Sequence, residues 1–313
     1  MSNGKRLKAF RVLEDFSKFC FRRMFEICQN FGINILPRHY YSEIPFIREL
    51  EEDEYWKKPH SMTGVNGVDI KNQLDFVKEC CTQGLIDRHK RKDIYDYCCK
   101  QNDEQGYGPI EADFLFSFIS TKRPKRIVQV GCGVSTSVIL LSAEESDYLP
   151  EITCVEPYPT RFLRNSNKIR LIPKKMQLVD MDTLIDLDDN DLLFVDSTHT
   201  VKPGSEVNKL ILEVMPRLKK GVWVHFHDIY FPYDYSRYIL TRELFFSCET
   251  ALLHSFLVNN VKYALKVSLG MLHYAVPLEL KRFLPNYCPA KNDYGLAVSE
   301  GHFPSSVYLE VIK

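Results

Sequence analysis

The stretch IVQVGCGVSTSVILL, Ile127 to Leu141, decides the fold. A β-rich apolar run (Ile127, Val128, Val130) stops at Gly131-Cys132-Gly133. A small polar cluster, Ser135-Thr136-Ser137, then opens a run that reads as a helix. The order is strand, glycine turn, helix N-terminus. Glycines permit a tight turn and let a ligand approach bare backbone, and the helix start presents unpaired N–H donors. The spacing is Gly-x-Gly-x-x-Thr, not Gly-x-Gly-x-x-Gly. The missing third glycine gives dinucleotide-binding turns their close helix–strand packing. A nucleotide-like ligand without a pyrophosphate fits this turn better.

Outward from that turn, strands and helices alternate, the signature of a parallel sheet covered by helices. The pattern predicts a helix over Pro109 to Ser120 and strands at Lys125 to Val130, Ile152 to Val155, Lys175 to Val179, Leu192 to Val195 and Gly221 to Phe226. Helices are expected at Ser135 to Glu145 and Glu206 to Leu218. Two late strands, Val261 to Leu269 and Ser305 to Ile312, enclose a helical Pro277 to Leu284, and an aromatic-rich helical insertion is expected at about 231–259. Residues 1–105 read as an accessory region. Ala9 to Phe31 carries Phe10, Leu13, Phe16, Cys20, Met24, Ile27 and Cys28 at helical spacing, and Gly32 is placed to end that helix. Gly67 to Gly84 and Asp87 to Lys100 read as two further helices.

Bulk properties narrow the classes. A chain of 313 residues is long enough for a full α/β core plus an accessory region. Lysine plus arginine number 41 and aspartate plus glutamate 41, so no strong field favours nucleic acid or an anionic membrane, and neither partner is expected. No apolar run approaches the roughly 18 residues of a membrane span. The ten cysteines lack any Cys-x-x-Cys, and two pairs (Cys80-Cys81 and Cys98-Cys99) are adjacent in sequence. Reduced thiols in a cytoplasmic protein are the expectation.

Four blocks, VGCGVST (130–136), VEPYP (155–159), LLFVDSTHT (192–200) and GVWVHFHDIYFPYDY (221–235), together resemble the class I S-adenosylmethionine-dependent methyltransferases. Within that class they resemble the group of macrolide-sugar O-methyltransferases and cephalosporin-hydroxylase-like proteins. The resemblance runs from about residue 105 to the C-terminus. It implies a Rossmann-like methyltransferase fold: a seven-stranded, mostly parallel α/β sheet with helices on both faces, here over residues 106–313. Each block ends at a strand's carboxyl edge, where open α/β sheets bind ligands. The resemblance also implies S-adenosylmethionine as cofactor and methylation of a small-molecule hydroxyl. It leaves open a metal-dependent hydroxylase or a non-catalytic binding protein on the same fold.

The candidate cofactor residues are Gln129, Gly131, Gly133, Ser135, Thr136, Glu156, Asp180, Met181 and Asp196. Gly131 and Gly133 make the turn under the methionine part. Gln129 stands where the family usually has an acidic residue, and its carbonyl oxygen can accept without adding charge. Glu156 ends the second strand, where a carboxylate can accept both ribose hydroxyls. Asp180 and Met181 stand where the family contacts adenine. For the chemistry, a hydroxyl acceptor must be placed in line with the sulfonium and must lose its proton. The resemblance implies a metal on Asp196 and Asp228 and His199 as the base. An acidic residue usually precedes the second aspartate. Here it is His227, a poorer magnesium ligand that suits a softer divalent ion. Asp196, His227 and Asp228 are therefore the candidate metal ligands, and His199 and Asp196 the candidate catalytic pair. His225, two residues earlier on the same strand face, reads as a hydrogen-bonded structural histidine.

Overall fold

A computed structural model of the chain describes residues 3–236, 239–240, 243–288 and 304–313, with side chains from residue 17 onward. Contacts divide the chain into two compact units, residues 1–50 and 51–313. In the first, α1 (Asn3–Asn30) ends where Ile33 N–H returns to the Cys28 carbonyl at 3.0 Å. Gly32 takes the left-handed conformation this ending requires, at φ +74°. Arg38 lies 3.7 Å over the Phe46 ring and pairs with Glu49 at 3.0 Å, on the short α2 (Ile47–Glu52).

The larger unit begins with α3 (Ile70–Cys80), α4 (Gln83–His89), α5 (Ile94–Asn102) and α6 (Pro109–Lys122). The accessory region read over 1–105 is thus divided, because α3 packs on the sheet and α5 on α6 and α7 (Val134–Glu145). The helix expected from Gly67 starts later. Asp69 caps it by accepting from Asn72 N–H, and Gly67 sits at φ +90° with no room for a Cβ beside the Leu265 carbonyl. The single helix expected over Asp87 to Lys100 is broken in two. The break falls at Lys90–Asp93, four residues with no apolar side chain to bury, and Lys92 there is left-handed.

The sheet strands are β1 (Arg126–Val130), β2 (Glu151–Val155), β3 (Arg170–Ile172), β4 (Leu192–Val195), β5 (Trp223–Phe226), β6 (Tyr263–Ser268) and β7 (Val307–Val311). Their order is β3-β2-β1-β4-β5-β7-β6, with only β7 antiparallel to its neighbours. This is a Rossmann-like sheet with an antiparallel strand inserted near one edge. The chain turns from one half to the other between β1 and β4, the switch point where such sheets open a crevice. Side chains alternate between two cores. Ile127, Phe194 and Trp223 pack with α3 and α6, while Val128, Val130, Leu193 and Val195 pack with Val207, Leu210 and Leu257.

The third strand is displaced from its expected place. It is Arg170–Ile172, and Met176–Leu178 forms a 3₁₀ turn. Pro173 brings no N–H to the ladder, so the edge strand stops before Lys175. The helix α8 (Arg161–Asn165) precedes β3, and α9 (Met181–Ile185) and α10 (Glu206–Lys209) follow it. The helix expected over Glu206 to Leu218 is regular only at α10. A π-turn at Leu210–Val214 and a 3₁₀ turn at Met215–Arg217 follow, where Pro216 lacks a donor. Of the insertion expected at 231–259, the regular helix that can be described in full is α11 (Glu249–Leu257). Residues 237–238 and 241–242 of that insertion lie outside the described residues. The unit closes with α12 (Leu269–Ala275), α13 (Pro277–Phe283) and β7. No helix among the described residues is long and apolar enough to cross a membrane.

Candidate active site

Each ladder at the carboxyl edge runs one residue beyond its strand. Gly131 N–H bonds the Val155 carbonyl at 3.1 Å, Glu156 N–H that of Ile172 at 3.2 Å, Asp196 N–H that of Val130 at 2.9 Å, and His227 N–H that of Val195 at 2.9 Å. Four blocks far apart in sequence therefore deliver their key residues to one rim. The packing there is tight at Gly131. Its φ is +79°, and a Cβ would fall 1.5 Å from the Asp196 carbonyl oxygen. No L side chain fits, so the glycine turn and the Asp196 backbone are one structural element.

The glycine turn is braced from beneath. Gln129 is fully buried, its Nε2 donating to Ser135 Oγ at 2.8 Å and its Oε1 accepting from Thr136 Oγ1 at 2.8 Å. Thr136 Oγ1 in turn accepts from Gly133 N–H at 3.2 Å. Gln129, Ser135 and Thr136 bond to one another through their side chains. Their effect is to fix the shape of the turn. Glu156 faces the same turn: its carboxylate accepts Cys132 N–H at 3.2 Å and Tyr158 N–H at 2.9 Å. Asp180 is exposed at the residue before α9, and Met181 packs partly buried on the core.

At the other end of the rim, charged side chains converge. His199 Nε2 lies 3.5 Å from Asp196 Oδ1 and 3.5 Å from Asp228 Oδ2. His227 Nδ1 lies 3.4 Å from Asp196 Oδ1 and 3.6 Å from Asp228 Oδ1. His227 Nδ1 is buried with no hydrogen-bond partner among the described residues. Donor atoms of Asp196, His199 and His227 all lie within 4.8 Å of one another, as ligands of a single ion would. His199 and Asp228 are both left-handed without being glycine, at φ +56° and +54°. Such strain costs on the order of 1–3 kcal/mol per residue and gathers at functional sites.

Electrostatics follow from this crowding. Burial opposes charge on the Asp196 carboxyl, but His227 and His199 hold it well below its usual range. Burial likewise opposes charge on His227, but Asp228 and Asp196 raise it to about 9. His199 rises well above its ordinary value: burial works against its charge, and Asp196, Glu249 and Asp228 outweigh it. His225 goes the other way, driven well down by burial and by His227 beside it. It stacks on Phe194 at 4.2 Å, and its Nε2 is 3.2 Å from Tyr107 Oη and 3.1 Å from Ser306 Oγ. It is a core residue.

Four residues around the cluster escape a reading of sequence. Tyr107 places its ring 4.7 Å from that of His227. Glu111, buried on α6, accepts from Ser305 N–H at 2.7 Å, and Ser305 Oγ donates to Asp228 Oδ1 at 2.9 Å. Tyr230 is buried two residues beyond Asp228. Glu249, at the start of α11, meets His199 Nδ1 at 2.7 Å. Tyr230 lies within the 221–235 block without being singled out there, and the other three lie outside the four blocks. The available signal is a carboxylate in an apolar run, Glu249 in ETALLHSFL and Glu111, with Asp113, in PIEADFLF.

Residues 128–229 match a family described as a methyltransferase domain. An uncharacterised protein of Archaeoglobus fulgidus is 29% identical over 170 residues, which cover 49% of this chain and 74% of that protein. Among solved structures, a Staphylococcus aureus protein described as a caffeoyl-CoA O-methyltransferase overlaps 58% of this chain and 91% of its own, at 15% identity and a TM-score of 0.41. A Podospora anserina methyltransferase with S-adenosylhomocysteine bound overlaps 90% of this chain and all of its own (100%), at 14% identity and a TM-score of 0.40.

Proposed function

We propose that this chain, whose residues 128–229 match a methyltransferase-domain family, is a class I S-adenosylmethionine-dependent methyltransferase that methylates a hydroxyl group of a small molecule. The supporting observation is the shared rim, where one rigid element joins the glycine turn to an Asp/His cluster through Gly131 and Asp196. In this reading the turn at Gly131 and Gly133 carries the methionine part of the cofactor. Glu156 accepts the ribose hydroxyls, and Asp180 and Met181 border the adenine. Asp196, next to the turn, stands between cofactor and acceptor.

The acceptor side has groups for both placement and proton removal. Asp196, His227 and Asp228 fit a divalent ion, because the buried His227 Nδ1 lacks a partner and both carboxylates face it. The imidazole favours Mn²⁺, Fe²⁺ or Zn²⁺ over Mg²⁺. A cation bound there would lower the pKa of the acceptor hydroxyl. In its neutral form, His199 Nε2 would take the hydroxyl proton. Bound S-adenosylmethionine would supply the methyl group to that oxygen, its sulfur leaving with the electron pair of the carbon–sulfur bond. Titration calorimetry and thermal shift with S-adenosylmethionine and S-adenosylhomocysteine test the reading. Stabilisation by both is expected; stabilisation by NAD or FAD instead would overturn it.

One observation favours a second reading. Two histidines and one carboxylate, His199, His227 and Asp196, are the ligand types of non-haem iron oxygenases. A metal-dependent hydroxylase would use His199 as a ligand, not a base. Iron copurifying in stoichiometric amount, with no response to S-adenosylmethionine, would select it.

A further inference from the structure

Glu249 is 1% exposed, and a buried carboxylate is costly without a strong partner. Its Oε2 meets His199 Nδ1 at 2.7 Å, across 50 residues of chain. Its Oε1 has no hydrogen-bond partner among the described residues. The carboxylate is thus spent on one ring nitrogen. Its helix is tied to the rim at the next residue, since Thr250 Oγ1 accepts from Tyr230 N–H at 3.4 Å. Opposite Glu249, the other ring nitrogen, Nε2, is equidistant from Asp196 and Asp228. His199 is held in a strained left-handed backbone while this is achieved.

We infer that Glu249 is the positioning residue of this site: it holds His199 through Nδ1–H, so that Nε2 faces the opening between Asp196 and Asp228. The two ring nitrogens of histidine are assigned by whichever hydrogen bond one of them makes. A fixed carboxylate on Nδ1 settles both the tautomer and the ring orientation, the role the third member plays in a Ser-His-Asp triad. The inference rests on the reading of His199 as proton acceptor. It adds a residue that neither the glycine turn nor the strand ends contain.

The test uses the full chain labelled with ¹⁵N-histidine, compared as wild type, Glu249→Leu and Glu249→Gln, with His199→Ala to assign the signal. The wild type should show one strongly downfield, exchange-protected Nδ1–H proton at His199. Glu249→Leu should lose it, and Glu249→Gln, which keeps an acceptor oxygen, should restore it at a less downfield position. Co²⁺ affinity and S-adenosylmethionine affinity should be unchanged in Glu249→Gln. Persistence of the protected proton in Glu249→Leu overturns the inference. So does a 10–100-fold loss of Co²⁺ affinity in Glu249→Gln, the effect of removing support from a metal ligand, because His199 would then serve a cation. A wild type that ignores S-adenosylmethionine defeats the functional reading instead, and leaves the proton signal to report on Glu249.

Discussion

The two ends of the crevice rim are built on opposite principles. At the β1–β2 end, the polar groups of the glycine turn are mutually satisfied: Gln129, Ser135, Thr136 and Gly133 form a closed set of bonds. At the β4–β5 end, Asp196, His199, His227 and Asp228 crowd together with an orphaned imidazole nitrogen and two left-handed residues. The first end holds a shape without needing a ligand. The second stores strain and one buried imidazole nitrogen, His227 Nδ1, with no hydrogen bond among the described residues, which a ligand would relieve. A closed network suits a binding cradle, and an unsatisfied cluster suits chemistry.

The largest expected effect tests the unsatisfied end. His199→Ala should cut turnover by roughly 10²–10⁴, the usual share of general-base catalysis, while S-adenosylmethionine affinity stays the same. Steady-state kinetics paired with calorimetry check this. Intact turnover per folded molecule would make His199 a turn residue and leave catalysis to positioning alone.

Gly131→Ala should erase the boundary between the two ends. The added Cβ meets the Asp196 carbonyl and requires a left-handed alanine. Overpacking and backbone strain together should cost about 3 kcal/mol or more. Denaturant unfolding measures it. A loss of under about 1 kcal/mol would mean the turn and the Asp196 backbone separate easily, which the comparison forbids.

The third expectation concerns pH, with chelator present. His227 is raised to about 9 in the folded chain from about 6.5 in the unfolded one. Its contribution is fully present below about pH 6.5 and is lost as pH rises toward 9, up to about 3 kcal/mol. His199, also raised, adds to the same decline. Unfolding free energy measured from pH 6 to about pH 9 should fall in wild type and fall less in His227→Gln. A flat wild-type profile would mean that the cluster carries no net ion pairing.

The two ends also differ in how far the sequence reveals them. The glycine turn is local: Gln129 to Thr136 span eight residues, and their spacing already states strand, turn and helix. Strand ends at Glu156, Asp196 and Asp228 were legible because apolar runs stop there at an acidic residue. The edge strand was misplaced because β3 has only three residues, too few for a period to show. The bonds of Gln129 to Ser135 and Thr136 are not legible in the spacing, because a side chain's partners depend on the burial around it. Glu249 was invisible for a different reason. Its partner is 50 residues away, and only the tertiary fold of α11 brings the two together.

The smallest expected effect probes the satisfied end. Glu156 already accepts two backbone N–H groups in the structure, from Cys132 and Tyr158. It therefore has two separable jobs, to steady the glycine turn and to receive ribose hydroxyls. Charge-assisted hydrogen bonds are worth about 1.5–3 kcal/mol each, so Glu156→Ala should weaken S-adenosylmethionine binding by at least about tenfold. The loss by itself does not say which job was removed. A cofactor lacking the ribose 2′-hydroxyl separates them. If Glu156 holds the ribose, the wild type should prefer the full cofactor and the alanine variant should bind both alike. If Glu156 serves only the turn, the preference should survive in the variant while both ligands weaken equally. The second outcome would move the ribose contact elsewhere on the rim and reduce this end to a purely backbone-built cradle.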